Sequence, residues 1–302
     1  MKFRAHESFF IRKGWLYKGM KNVNLQNDVF TSKDKNPMDV LGLGSNMVKS
    51  LRYWLQAVGL TTENKSGKRV QTKTKLGEII WNNDKYIEEL GTLWLLHYEL
   101  VRCREDLATS WHYFFNDFRY NEFTKDDFVT ALKSWVGMNI EKKTEPPADS
   151  SLEGDFDCLT KTYISRARID SRKVSPEDNI DCPFGELGLI EIANKKEGVY
   201  KKATPKKGTL HPLVVLSVIL DNADENQTEI RINNLQSNKN NIGKVFNLDS
   251  VLLNDYLNEL ARMAYITVVR TAGLDVINLK TKMSYLDCVK KYYQEIGVLV
   301  SA

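Results

Sequence analysis

From Gly44 to Val58 the apolar residues Met47, Leu51, Trp54, Leu55 and Val58 recur at helical spacing and share one face. Two short β-prone arms follow at once, Leu60 to Leu76, around a Lys-Ser-Gly-Lys tip. An amphipathic helix of this kind must bury its stripe under neighbouring helices, and a hairpin so short cannot form a core of its own. Ser45 is the expected N-cap and Gly59 the expected residue just past the helix.

The opposite face of this helix carries Lys49, Arg52, Tyr53 and Gln56, with Asn46 near its N-terminal edge and no acid between them. A helix with a basic flank followed directly by a basic hairpin reads as a winged helix-turn-helix, in which the helix enters the major groove and the wing touches the backbone. Lys49 and Arg52 suit phosphates or guanine edges, and Asn46 and Gln56 suit an adenine edge. Lys65, Lys68, Arg69 and Lys73 suit phosphates. A solvated surface helix would show the same residues.

Charge favours the DNA reading. Residues 1–75 hold 15 Lys and Arg against 5 Asp and Glu, a net of +10, so the rest of the chain carries −6 of the total of +4. A basic end on an otherwise acidic chain suits a polyanion such as double-stranded DNA.

The 302 residues predict two or three domains, drawn as 1–122, a DNA-binding domain with packing helices; 123–208, a helical middle region with loops; and 209–302, a second winged-helix-like domain. The fold class expected is therefore mainly α with small β-hairpins. With 42% hydrophobic residues the chain is neither disordered nor fibrous. The charged start MKFR is not a secretory signal, and the longest apolar run, Leu213 to Leu220, is far short of the roughly twenty residues that cross a bilayer. A cytoplasmic protein outside the membrane is expected.

Further along, Glu88 to Val101 reads as a buried helix in which His97 is a hydrogen-bonded core residue. Thr124 caps another helix, with Asp126 and Asp127 in its first turn. Residues 140–158 read as a linker or exposed loop, Asp155 to Ile164 as helical, and the six-lysine stretch Lys195 to Lys207 as a mobile loop. Ser250 to Met263 and the hairpin from Ile266 predict a second winged helix. Its outward Asp255 would repel DNA, so it is assigned to protein contacts or a structural role. Cys103, Cys158, Cys182 and Cys288 lie far apart without metal-ligand spacing and are expected as reduced, mostly buried thiols.

Three ordered motifs carry a resemblance. Phe3-x-x-His6-Glu7-Ser8-Phe9-x-x-Arg12-x-Gly14-Trp15-Leu16-x-Lys18-Gly19, then Leu41-Gly-Leu-Gly-Ser-Asn-Met-Val-x-x-x-Arg52-Tyr53-Trp54, then Gly91-Thr-Leu-Trp-Leu-Leu-His97 are similar to the SspB family. The similarity continues more loosely through Asp155 to Tyr163, Asp181 to Ile190 and the C-terminal hairpin. Ser45 stands where a Lys or Arg is expected, which removes one phosphate contact. The family is encoded in bacterial DNA phosphorothioation and phage-defence operons. The resemblance implies a DNA-nicking endonuclease that opens one strand for sulfur incorporation and uses Mg²⁺ or Mn²⁺. It also implies cysteine desulfurase, ATPase and phosphoadenylyl-sulfate-reductase-like partners. A homodimer is left open.

No H-N-H motif, P-D-(D/E)-x-K arrangement or H-x-K-x-x-x-x-D pattern appears in the residues themselves. In the opening cluster His6 and Glu7 could act as base and metal ligand while Arg12 and Lys18 offset phosphate charge; equally, Glu7 could pair with Arg12 or Lys18 while Phe9 and Trp15 anchor a core. Asp155, Asp157, Asp178 and Asp181 form a second carboxylate set, read as loop and cap residues. Gly42-x-Gly44 lacks the rest of a nucleotide fingerprint. The alternative to a nickase is a non-catalytic DNA-binding adaptor or transcriptional regulator that recruits the sulfur-transfer enzymes.

Overall fold

The computed structural model describes residues 1–64, 66–67, 69–102, 107–140, 145–164, 182–271 and 274–297. Lys65, Lys68, Cys103, Asp178 and Asp181 lie outside the described residues. The architecture is mainly helical with small antiparallel sheets.

Gly14, at φ 81°, turns the opening segment into α1 (Trp15–Leu25). Its buried stripe Trp15, Leu16, Met20 and Val23 continues past Lys21, so the helix runs on to Leu25. Asn36 caps the short α2 (Pro37–Leu41). In α3 (Ser45–Ala57) the cap is Gly44 rather than Ser45, because the backbone is still extended at Gly44 and already helical at Ser45. Gly59 follows at φ 71°, in the left-handed conformation expected of it. The predicted hairpin is formed by β1 (Thr61–Glu63) and β2 (Gln71–Lys73), with Thr61 opposite Lys73 and Glu63 opposite Gln71.

Thr74 then caps α4 (Lys75–Asn83). A Cβ at Gly77 would collide with the Leu60 carbonyl, so this glycine lets α4 lie against the chain entering the hairpin. Next, α5 (Leu90–Val101) is buried from Gly91 to Val101 and packs on α6 (Thr109–Asn116). His97 is the core residue expected. Its Nε2 donates to the Val245 carbonyl at 2.6 Å, leaving Nδ1 to accept from the Tyr163 hydroxyl at 2.7 Å.

After β3 (Glu122–Phe123), α7 (Lys125–Asn139) opens with a capping box between Thr124 and Asp127, as the sequence indicates. The linker reading of 140–158 is corrected by α8 (Asp149–Tyr163). There Leu152, Phe156 and Leu159 recur on one face and are fully buried, and this stripe outweighs the polar composition of the first turn. A 3-10 turn at Pro183–Leu187 leads to β4 (Ile190–Asn194) and β5 (Val199–Lys202), which join β3 in the order β3-β5-β4. The lysine-rich stretch is thus partly strand. Lys202 donates to the carbonyls of Phe114 and Phe118 at 2.8 and 2.6 Å, which ties the stretch to the end of α6.

The remaining elements are α9 (Pro212–Asp221), β6 (Glu229–Arg231), α10 (Ile232–Ser237), α11 (Ile242–Val245), α12 (Ser250–Arg262), β7 (Ile266–Thr271), β8 (Leu274–Leu279) and α13 (Tyr285–Glu295). The C-terminal hairpin is present, and β6 adds a third strand in the order β6-β8-β7. Leu253, Tyr256, Leu257 and Leu260 of α12 face inward, as their spacing requires. α13 packs on α9 and also on α4, and one cluster of buried apolar side chains runs from Ile11 to Tyr293. Cys158, Cys182 and Cys288 are buried thiols. Among the described residues no helix is long and apolar enough to cross a membrane.

Candidate nucleic-acid interface

The apolar face of α3 holds Leu51, Trp54 and Leu55 at full burial, and this fixes where its other face points. Trp54 Nε1 donates to the Phe9 carbonyl at 2.8 Å, so the helix is pinned to the opening segment. That segment takes an unusual path, with Arg4, Glu7 and Ser8 at φ 53°, 51° and 68°. Asp155 holds it there, since its carboxylate accepts from the Arg4 backbone N–H at 2.7 Å, from His6 Nε2 at 2.9 Å and from the Ser110 hydroxyl. His6 Nδ1 accepts from the Ser8 N–H at 3.1 Å, so both ring nitrogens are bonded. The ring is wholly buried between Trp54 and Trp111. A general base must reach the proton it removes. In this conformation His6 does not face the cleft; its bonded ring holds the opening segment in place. Asp155, read from the sequence as a loop or cap residue, is instead the buried hub of this bonding.

Between the N-terminal segment, α3 and the hairpin lies an open cleft of about 510 Å³, lined by Lys2, Glu7, Lys49, Arg52, Gln56, Glu63, Asn64 and Arg69 among others. Lys49 is exposed and makes no ion pair among the described residues. Arg52 does make one. Its Nε and Nη2 donate to the two Glu63 oxygens at 2.8 and 2.7 Å, and Arg69 stands 3.8 Å from the same carboxylate. The basic flank free of acid in sequence is therefore met by an acid from the hairpin. Asn64 closes the hairpin tip, donating to the Ser66 carbonyl and accepting from the Val70 N–H.

Other expected contacts fall elsewhere. Tyr53 is buried, its hydroxyl donating to the Leu107 carbonyl at 3.1 Å, so it lines the cleft floor and is not an outward reader. Gln56 is half-buried and donates to the Arg52 carbonyl, while Asn46 is exposed at the start of α3. Lys18 donates to the Leu41 carbonyl at 3.0 Å and steadies the turn after α2. The Arg12 guanidinium lies over Phe9 and Trp15, and the Lys73 ammonium over Trp81. Glu7 pairs with neither Arg12 nor Lys18 and faces the cleft instead. Glu63, Asn64, Lys2 and Asp155 were not singled out as part of this site, because what brings them here is the folding of distant segments against α3.

Magnesium binds through one or two carboxylates supplemented by water and phosphate oxygens. Among the described residues no group of three His, Cys, Asp or Glu converges, and of the cleft's two carboxylates Glu63 is engaged by Arg52. The described residues do not fit a protein-built magnesium cage. Asp157 pairs with Lys125 at 2.6 Å on the surface.

Comparison with known proteins follows from this geometry. The family model described as a protein of unknown function, DUF4007, matches residues 3–293. A crystal structure of SspB with a bound magnesium ion superposes with a TM-score of 0.83 at 25% identity, covering 98% of this chain and 88% of that one. A second SspB crystal structure gives 0.81 at the same identity and coverage. No curated protein sequence matches. The family match across nearly the whole chain, together with the shared fold, means that this chain belongs to the DUF4007 family and is SspB-like throughout.

Proposed function

We propose that this chain is a DNA-binding protein of a bacterial DNA phosphorothioate modification and defence system, gripping duplex DNA between α3 and the β1–β2 hairpin. Residues 1–122 would act as a winged-helix DNA-binding unit, and 209–302 as a second winged-helix-like unit that meets proteins. The observation that carries this reading is the exposed Lys49 on α3, which pairs with no described acid and lines one cleft with Lys2 and Arg69. Cations on either side of an open cleft suit a phosphate backbone.

Strand nicking is proposed from the SspB likeness, with Mg²⁺, the ion in one SspB structure, or Mn²⁺ as cofactor. Glu7 is the carboxylate of the cleft that pairs with no described residue, and it would hold such an ion only together with waters and DNA phosphate oxygens. The buried His6 favours the second reading, a non-catalytic adaptor that recruits cysteine desulfurase, ATPase and phosphoadenylyl-sulfate-reductase-like partners in the cytoplasm.

Fluorescence anisotropy on duplex DNA tests the binding. Replacing Lys49 and Arg69 with alanine is expected to weaken affinity and flatten the dependence of log affinity on log salt by about two units. Unaltered affinity and slope would remove the cleft as the DNA site. A supercoiled plasmid incubated with Mg²⁺ or Mn²⁺ separates the two roles. Relaxed circles that vanish with chelator and with Glu7→Gln support nicking, and intact plasmid with retained binding supports recruitment.

A further inference from the structure

Two cations that the sequence marks for DNA, Arg12 and Lys73, do not line the duplex cleft, and both sit beside an aromatic ledge on α1 and α4. Tyr17 stacks on Trp81 at 6.0 Å and 8°, and Tyr86 leans on Tyr17 at 4.7 Å. Lys73 lies 5.8 Å over Trp81, and Lys85 lies 5.1 Å over Tyr86. Neither lysine makes an ion pair with a described acid.

Tyr86 is 52% exposed, an unusual position for a ring already packed on another. The backbone holds it out. Ile87, a β-branched residue, is kept at φ 58°, where such side chains rarely sit, while the Asp84 carboxylate accepts from the N–H groups of Glu88 and Glu89 at 3.0 Å each. Strain maintained by a dedicated buried acid is a reason to look for a function at the residue it displays.

Beneath Tyr86 is a cavity of about 200 Å³ lined by Arg12, Lys13, Tyr17, Tyr86, Glu88 and Glu186 among others. Its two acids balance its two cations, so it offers no net charge to a phosphate, whereas a carboxylate accepts from the exocyclic amino group of a base. Charge and shape thus divide the surface, with a base at the rings and the backbone outside, along the lysines.

We infer that this ledge binds an unpaired segment of DNA, stacking a base on Tyr86 while Lys73 and Lys85 meet the flanking phosphates. Stacking of a base on an exposed ring is stronger than an exposed lysine–ring contact, so the base displaces Lys85 from Tyr86 and frees its ammonium for phosphate. Lys73 ends β2 of the same hairpin whose β1 carries Glu63 into the duplex cleft, so the ledge continues that grip. The inference rests on the DNA-binding reading above, and it adds that the DNA contacted carries single-stranded character.

The test compares a fluorescein-labelled duplex interrupted by a run of unpaired deoxycytidines, whose bases carry the amino group, with the same duplex fully paired. Tyr86→Ala is expected to weaken binding to the gapped duplex by about tenfold and to leave the paired duplex unaffected, while Tyr86→Phe retains the wild-type affinity for both. Lys49→Ala with Arg69→Ala is expected to weaken both DNAs. If Tyr86→Ala binds the gapped duplex as the wild type does, or loses both DNAs equally, the ledge is not a base-stacking site even though the cleft reading stands. If the wild type binds neither DNA, both readings fall.

Discussion

His6 Nε2 donates to the Asp155 carboxylate at 2.9 Å across 149 residues of sequence, and the two side chains are 1% and 2% exposed. The contact joins the opening segment to α8 and fixes the path that brings Glu7 to the cleft. Replacing Asp155 with alanine strands the Arg4 N–H, the His6 ring and the Ser110 hydroxyl at once. The expected cost is about 3–5 kcal/mol, the usual consequence of leaving buried partners unsatisfied, and it is read as a lowered midpoint in thermal unfolding. An unchanged midpoint would mean that Asp155 is not the hub of this segment. A His6→Ala variant would lose these bonds and destabilise the fold, so Glu7→Gln is the cleaner probe of the proposed nicking.

Glu63 restrains Arg52. The pair is bidentate and only partly exposed, at 24% and 11% for the two side chains, so Arg52 is not free to meet phosphate. Glu63→Gln removes the one carboxylate that β1 sends into the cleft. Duplex affinity is expected to rise and the salt dependence to steepen by about one unit as Arg52 becomes available. Stability should fall by about 1–2 kcal/mol with loss of the charge-assisted bonds. Anisotropy over a salt series checks the first outcome and denaturant unfolding the second; weaker DNA binding would contradict the restraint.

Two buried groups make stability depend on pH in opposite senses. Burial holds His97 down at about 4 from its ordinary 6.5, despite the Val245 carbonyl, so between those values the unfolded chain binds more protons and acidification destabilises the fold. Burial pushes Glu99 up to about 7 from 4.5, with Arg102 opposing, so between those values the folded chain binds more protons and rising pH destabilises it. Each effect has an upper bound on the order of 3 kcal/mol. Relative to wild type, His97→Gln should gain stability as pH falls from 6.5 toward 4.5, and Glu99→Gln should gain it as pH rises from 4.5 toward 7. Calorimetric midpoints across this range decide it, and profiles parallel to wild type would refute both assignments.

The helix from Ser45, the hairpin behind it, the Thr124 cap, the left-handed Gly59 and the core place of His97 were all legible in the residues. The signal for each lies within a turn or two of the residue, where spacing and capping chemistry act directly, although the partners of His97 are remote. The start of α8 was not. Its first turn is polar, and the burial of Leu152 that makes it worthwhile comes from packing on distant elements. Tyr53 sits at the edge of the helical wheel, and contacts with remote groups, among them the Leu107 carbonyl and Lys2, turn that edge into interior.

Charge shows the same division. Composition and order alone dictated a basic amino end carried on one helix flank and its hairpin. Which cations remain available was set by the folded chain. The hairpin folds back to give Arg52 the carboxylate of Glu63, α2 gives Lys18 a carbonyl, aromatic rings take Arg12, and Lys73 is placed over Trp81, away from the duplex cleft. Helical periodicity is a property of bonds a few residues apart, whereas the partner of a charged group is whatever the packing of remote segments brings within about 4 Å of it.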